Sequence, residues 1–522
     1  MTKSKLSMKK IKKEPMLYFA ALVIFVMISV LYAYKTGLLF CGYYFADDHE
    51  IARLHGGIVR DGLFATMKLW IEVDANLRFR PAYWVFRVLE SFICGDSVLL
   101  WHFIKACEIG LCAWLSFVFA RKMKVSYLVS VIFGVIGFFG TQFSVVYRLG
   151  PQEPQALIWM FAGLICAICY VEKTEKKRRW IIGFHIFMTL MMMTKEAFLM
   201  LVPIFVFFLL YLEMKKIYAG ETTWKKSVGI VMKKHVATIL YEAVLCILCG
   251  CVIIFHSGVS SIGYAGLDET YTATDYISGM WKVWTGELQP YLLLMLLAMV
   301  ANIVLCIKNR KEKGYVFYRM CETFIVLYFV LSQSFLHAKS GMFDRYLFPC
   351  ITGILIYVCC FSIPLWKGKI KQWVPQIVFS VWAVWMVVAS QFHTSCLNYV
   401  FTCSYNTQML IRLSQLAEER GGEECKIIVS APFGEWNLAV CAFMEELYGV
   451  DQTYGLNQTD PDANEAMDRY VIEHTEPGML PIAEADIYVA QKEFLPIKMR
   501  ENGVEYTEMQ SEVFGNYMIF YK

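Results

Sequence analysis

MLYFAALVIFVMISVLYAYKTGLLFCGYYFADDHEIARL, Met16 to Leu54, joins an uncharged apolar run to a cluster of acids. From Met16 to Tyr34 no residue carries a charge. At about 1.5 Å per helical residue, such a run matches a hydrocarbon core roughly 30 Å thick. It is apolar all round, so it reads as a membrane span, not an amphipathic surface helix. The preceding MTKSKLSMKKIKKEP is strongly basic, which places the N-terminus in the cytoplasm by the positive-inside rule. The run is longer than a signal-peptide core and no small-residue cleavage site follows, so it is expected to be retained. A basic nucleic-acid arm is the rival reading, and the apolar run behind it argues against that. Asp47, Asp48 and Glu50 then fall just beyond the membrane exit, in an aromatic and otherwise apolar setting.

The same pattern continues along the chain. Of the 522 residues, 57% are hydrophobic and only 18% charged, against about half and a quarter in a soluble globular protein. Basic clusters at Arg121, Lys173, Lys215–Lys234, Lys308 and Lys367 fall at alternate junctions between apolar blocks. That alternation predicts a polytopic α-helical membrane protein with about eleven spans, N-terminus in and C-terminus out. The spans are expected to begin near residues 16, 98, 125, 155, 180, 197, 236, 290, 319, 346 and 373. The pair flanking Lys195 is short enough for a re-entrant hairpin. Within the long first outer loop, residues 35–97, DGLFATMKLWIEV and PAYWVFRVLESFI have the single apolar stripe of helices lying along a membrane surface. A second outer loop runs from Ser257 to Gln289.

Residues 1–390 form the expected membrane domain and residues 391–522 a small extracytoplasmic α/β domain. KIIVSA and ADIYVA read as buried strands, NLAVCAFMEELYG as a helix and GNYMIFYK as a final strand. The 18 cysteines show no metal-ligand spacing; many lie inside apolar blocks, where cysteine packs as a small hydrophobe. Cys396, Cys403, Cys425 and Cys441 lie in the tail and could pair there in an oxidising space. Asn457-Gln458-Thr459 matches a glycosylation sequon.

Charges at a membrane boundary are costly unless they pair, hydrate or work. The outer junctions hold an unusual number: Arg78 and Arg80 in NLRFRPAYW, His102, Arg148 and Glu153 in YRLGPQEPQ, and Lys195 and Glu196 in MMMTKEAFL. His337, Lys339, Arg345 and Tyr346 lie in LHAKSGMFDRYLFP. Cations of this kind hold a phosphate. A carboxylate beside them takes a proton from an incoming hydroxyl or amine. Together they suit displacement of a phosphate-linked group at a membrane surface. Bland readings stand beside these. Asp47 and Asp48 could form a solvated turn or cap the next helix, His49 and His102 could be structural, and the arginines could anchor at lipid headgroups.

The acidic pair after the first span, FRPAYW followed by Trp101-His102, RLGPQEP, the KE of TKEAF and the RY of FDRYLFP together resemble the GT-C glycosyltransferases. The likeness is to the protein O-mannosyltransferase-like and aminoarabinose-transferase-like enzymes and covers roughly the first 390 residues. It implies a polyprenyl-phosphate-linked sugar donor and transfer to an envelope polymer, glycolipid or protein at the outer face. Asp47 or Asp48 would be the general base of an inverting displacement, with Asp48 slightly favoured as nearer the following helix. DDHE is not the Asp-Glu pair of many mannosyltransferases, which leaves the choice of base open. Glu153 would orient the acceptor. Arg345, with Lys195, Arg80 and Tyr346, would bind the donor phosphate. Some relatives hold a divalent metal through paired acids, for which Asp47, Asp48 and Glu153 are the candidates. The rival functions are a polysaccharide polymerase or ligase, a lipid-linked-sugar transporter or flippase, and an envelope scaffold. The charges collect at one face and no internal repeat is visible, which disfavours transport. The Lys-rich, Cys-tolerant composition fits a bacterial cell membrane, and no nucleic-acid partner is expected.

Overall fold

A computed structural model describes residues 2–76, 78–139, 146–173, 175–218, 224–256, 271–286, 288–312, 314–339, 344–366, 369–430, 434–455, 485–491 and 509–522. Among them, nine helical segments are long and apolar enough to cross a membrane. The chain is a multi-pass helical membrane protein. Two further expected spans are helices of different character: Tyr127–Phe139 has 13 residues, and Lys177–Thr194 has 18 but is less uniformly apolar. The short hairpin expected around Lys195 is not formed. Lys195 is one extended residue, and beyond it Glu196–Ile217 is a 22-residue span-length helical segment. The sequon at Asn457, and residues 257–270 and 287 of the loop from Ser257 to Gln289, lie outside the described residues.

Close helix crossings are made where side chains are small. The first helix, Thr2–Thr36, packs on Val98–Lys122 with Gly110 against Val26. A Cβ at Gly110 would sit 2.5 Å from the Val26 Cα, so backbone meets backbone there. Phe25 and Phe117 pack with their rings tilted between the same two helices, centres 5.8 Å apart.

The first loop folds into three helices, His49–Asp61, Leu63–Ala75 and Pro81–Cys94. The last two coincide with the amphipathic stretches. The carboxy-terminal part is α/β, as expected. Its strands are β1 (Ile427–Ser430), β2 (Thr453–Gly455), β3 (Ile487–Gln491), β4 (Gln510–Phe514) and β5 (Tyr517–Tyr521), in the order β2-β1-β3-β5-β4. β1 is parallel to β2 and β3, while β5 is antiparallel to β3 and β4. Helix Gly434–Tyr448 completes this unit.

One helix that sequence reasoning passed over ties the two parts together. Phe392–Glu419 follows Lys369–Ala389 after a break at Gln391, whose φ is +51°. Its first half gives Phe392, Cys396, Tyr399 and Cys403 to the core of the membrane part. Its second half gives Met409, Leu413 and Leu416 to the core of the α/β unit. That second core also takes Tyr43, Phe45, Ile51 and Ala52 from the first loop. Tyr43 stacks on Phe443 at 4.7 Å. The acid-bearing turn is therefore clamped between the bundle and the α/β unit.

Because Gly110 touches backbone, Gly110→Ala is expected to cost about 1–3 kcal/mol by overpacking. Gly250→Ala, in a span with open space around its glycine, should not lower the unfolding temperature in detergent.

Candidate active site

Asp47 and Asp48 are adjacent in sequence but stand in different environments. Asp48 is 1% exposed. One carboxylate oxygen accepts the Tyr44 N–H at 2.8 Å, and the other has no hydrogen-bond partner among the described residues. It occupies the N-cap position of His49–Asp61 yet makes no capping bond, and it is not solvated. Burial pushes its pKa up to about 7. Asp47 is half-buried and has φ +70°, a strained value for a residue with a Cβ. It lies against Gly150. A Cβ there would fall 2.2 Å from that of Asp47, so only glycine lets the two loops approach.

That contact joins the acidic turn to the loop holding Arg148, Gln152 and Glu153. The Arg148 guanidinium lies 4.8 Å from the Tyr44 ring centre. Lys105 donates to the Pro151 carbonyl at 3.0 Å and pairs with Glu108, which pins the loop from the bundle side. Glu153 is 2% exposed and Lys195 5%. They pair at 3.3 Å, and the same ammonium donates to the Gln152 side chain at 3.2 Å. Lys195 thus pairs with Glu153, not with its neighbour Glu196. Glu196 faces Arg78 at 4.0 Å. Lys195 also lies 5.5 Å from the Tyr346 ring centre, and His337 stacks on that ring at 4.9 Å. Neither His337 nitrogen has a partner among the described residues, and burial, with Lys195 nearby, holds its pKa down to about 3. It is a neutral spacer.

The structure therefore gathers Asp47, Arg148, Glu153, Lys195, Glu196, Arg78, His337 and Tyr346 at one end of the bundle. Arg345 is in the turn Asp344–Leu347 with Tyr346, but its side chain lies outside the described residues. Three candidates have other duties. Arg80 is held by both oxygens of buried Asp74 and is not a free cation for a phosphate. His102 contacts the Gly42 carbonyl at 3.2 Å and Cys41 at 3.5 Å, bracing the loop. Lys339 contributes its carbonyl to Tyr271. Glu50 accepts from the Tyr83 hydroxyl at 3.1 Å, and burial pushes it up to about 7.

Asp47, Asp48 and Glu153 do not make a metal set. Asp48 is turned onto its own backbone, Glu153 is occupied by Lys195, and no group of three His, Cys, Asp or Glu suited to a metal occurs among the described residues. Sequence reasoning missed Arg87. It is buried, its Nε and one Nη lack partners among the described residues, and its guanidinium lies 4.5 Å from the Trp101 ring centre. With Tyr83, Lys105 and Gln152 it lines a small cavity of about 20 Å³ beside the Glu153 loop. Spacing carried no sign of it, since Arg87 sits mid-helix like any surface arginine.

Comparison with solved structures decides the architecture. ArnT from Cupriavidus metallidurans bound to undecaprenyl phosphate aligns over 97% of both chains, with a TM-score of 0.51 and 11% identity. The chain has the GT-C fold. An apo structure of the same ArnT aligns over 98% of both chains with a TM-score of 0.49 and 10% identity. The archaeal oligosaccharyltransferase AglB from Archaeoglobus fulgidus, in complex with an inhibitory peptide and a dolichol-phosphate, aligns over 94% of this chain and 70% of its own, with a TM-score of 0.49 and 11% identity. No protein-family model and no curated protein matches.

Two outcomes follow from these environments. The Asp48 pKa is raised by burial from the usual 3.8 to about 7, so the folded state binds more protons than the unfolded state between those values. Stability is greatest below pH 4 on this account and falls as pH rises through 7, by a few kcal/mol at about 1.4 kcal/mol per unit. Asp48→Asn keeps an acceptor for Tyr44. Its unfolding temperature should exceed wild type at pH 8 and approach it at pH 4. Lys195→Met takes the ammonium away from the buried Glu153 carboxylate, which should cost about 3–5 kcal/mol. Adding Glu153→Gln should recover most of the loss in the same unfolding assay.

Proposed function

We propose that this protein transfers a sugar from a polyprenyl-phosphate-linked donor to an envelope acceptor at the outer face of a bacterial cell membrane. The observation that carries the reading is the contact of half-buried Asp47 with Gly150, on the loop whose Gln152 and Glu153 hold Lys195. It sets a base and a cation at one end of a GT-C bundle. A relative of that fold, ArnT, is bound to undecaprenyl phosphate.

Asp47 is the base in this reading, in place of Asp48. A base must reach an incoming hydroxyl, and Asp48 is shut in beneath the Tyr44 N–H. Asp47 takes the acceptor proton as the acceptor oxygen attacks the anomeric carbon. The bond from that carbon to the phosphate oxygen breaks on the opposite face. The electron pair leaves with the polyprenyl phosphate, and the configuration inverts. Lys195, beside the Tyr346 ring, supplies positive charge where negative charge develops, and Arg345, next to Tyr346 in sequence, is the second candidate cation. Glu153 keeps Lys195 in place until the donor arrives. Arg80, locked to Asp74, positions the first loop.

Purified protein is given radiolabelled polyprenyl-phosphate sugars and native envelope extract. Asp47→Asn should lower transfer by about 10²–10⁴-fold while folding normally. Asp48→Asn should retain most activity. Full transfer by folded Asp47→Asn would remove Asp47 from the chemistry.

A further inference from the structure

A second cleft is lined by residues outside the charged cluster. Its volume is about 370 Å³, and it sits where the first loop, helix Phe392–Glu419 and the β4–β5 hairpin meet. Its walls are of two kinds. Phe401, Tyr405, Trp436, Tyr517 and Tyr44 present rings. Asn398, Gln491 and Asn516 present amides. No lysine, arginine, aspartate or glutamate is among the lining residues.

We infer that this cleft binds a neutral saccharide and that the bound chain is the acceptor; the acceptor role rests on the transferase reading above. The chemistry of the walls selects this class. A sugar ring has an apolar face of C–H bonds, which packs on the electron-rich face of an aromatic ring. Its edge carries hydroxyls that both donate and accept. A primary amide also does both, so Asn and Gln match a hydroxyl in either direction. Asn398 and Asn516 are exposed where they line the cleft, so their amides can exchange water for a sugar hydroxyl. A charged ligand would find no counter-charge here. A lipid chain would strip water from the amides without replacing their hydrogen bonds.

The rings are pre-set. Phe401 and Tyr405 are one helical turn apart and remain 58% and 45% exposed. Gly515, in the β4–β5 turn, has φ +57° and lies so close to Tyr405 that a Cβ would be 3.2 Å from its ring. The hairpin therefore presses Tyr405 into place. Tyr517 is held between Phe45, at 5.6 Å, and Trp436, at 6.2 Å.

Through Tyr44 and Phe45 the cleft borders the segment that runs into the acidic turn. Tyr44 lines it, donates its backbone N–H to Asp48 and lays its ring against Arg148. A saccharide on the rings would carry its terminal hydroxyl toward the turn that holds Asp47.

The test uses full-length protein in nanodiscs, without donor. Saturation-transfer NMR and titration are run with neutral glucose-, mannose- and N-acetylglucosamine-based hexasaccharides. Uronate hexasaccharides and short peptides are the comparison ligands. At least one neutral hexasaccharide should bind. Phe401→Ala, a change at an exposed ring, and Asn516→Asp should each weaken it at least tenfold with unfolding temperatures unchanged. Absence of binding by every neutral hexasaccharide, preference for the uronate or peptide ligands, or unchanged affinity in both cleft variants would overturn the assignment. Saccharide binding without any sugar transfer would count against the transferase reading and the acceptor role, while leaving the saccharide site. Asp47-dependent transfer without saccharide binding would count against the cleft alone.

Discussion

The ion pair between Lys195 and Glu153 is the constraint on which the charged end of this bundle depends. Neither group could be buried singly, because an unpaired charge out of water costs several kcal/mol. Each comes from a different break in helical structure. Lys195 is the one extended residue between two helices, and Glu153 opens the helix Glu153–Glu172. Pairing them fixes how those segments meet. It brings Gln152 into the same contact and sets the ammonium over Tyr346, so the turn after Leu336 is drawn in as well. The pair thus ties together three stretches that are far apart in sequence.

A second constraint separates two identical side chains. Asp47 and Asp48 differ because the backbone turns between them. The positive φ of Asp47 sends its side chain toward Gly150, whereas Asp48 folds back under the Tyr44 N–H. The turn is kept in this form by the α/β unit, whose Phe443 and Tyr517 close over Tyr43 and Phe45. The carboxy-terminal unit is thus a wall of the site. It shapes the acid-bearing turn and, with Phe392–Glu419, forms the cleft that opens beside it.

The membrane helices, the two amphipathic helices of the first loop and the strands of the α/β unit were legible because each is encoded locally. A span needs a long apolar run, a surface helix needs one stripe, and a buried strand needs a short block of β-branched and aromatic residues. Helix Phe392–Glu419 escaped notice because it is neither. Half of it faces the membrane core and half the α/β core, so its apolar pattern changes face midway. β2 and β4 were missed for lack of length and burial.

For the site, sequence by itself determined which charged residues stand at helix ends, since an ionisable group beside an apolar run is visible in one dimension. It also picked out an adjacent acidic pair as the candidates for a base. Tertiary structure decided the pairings. It gave Lys195 to Glu153 and not to Glu196, withdrew Arg80 to Asp74, buried Arg87 against Trp101 and set Asp47 apart from Asp48. The physical reason is that a partner is chosen by distance across the fold and by the loss of water around it. Neither quantity is written in the order of residues along the chain.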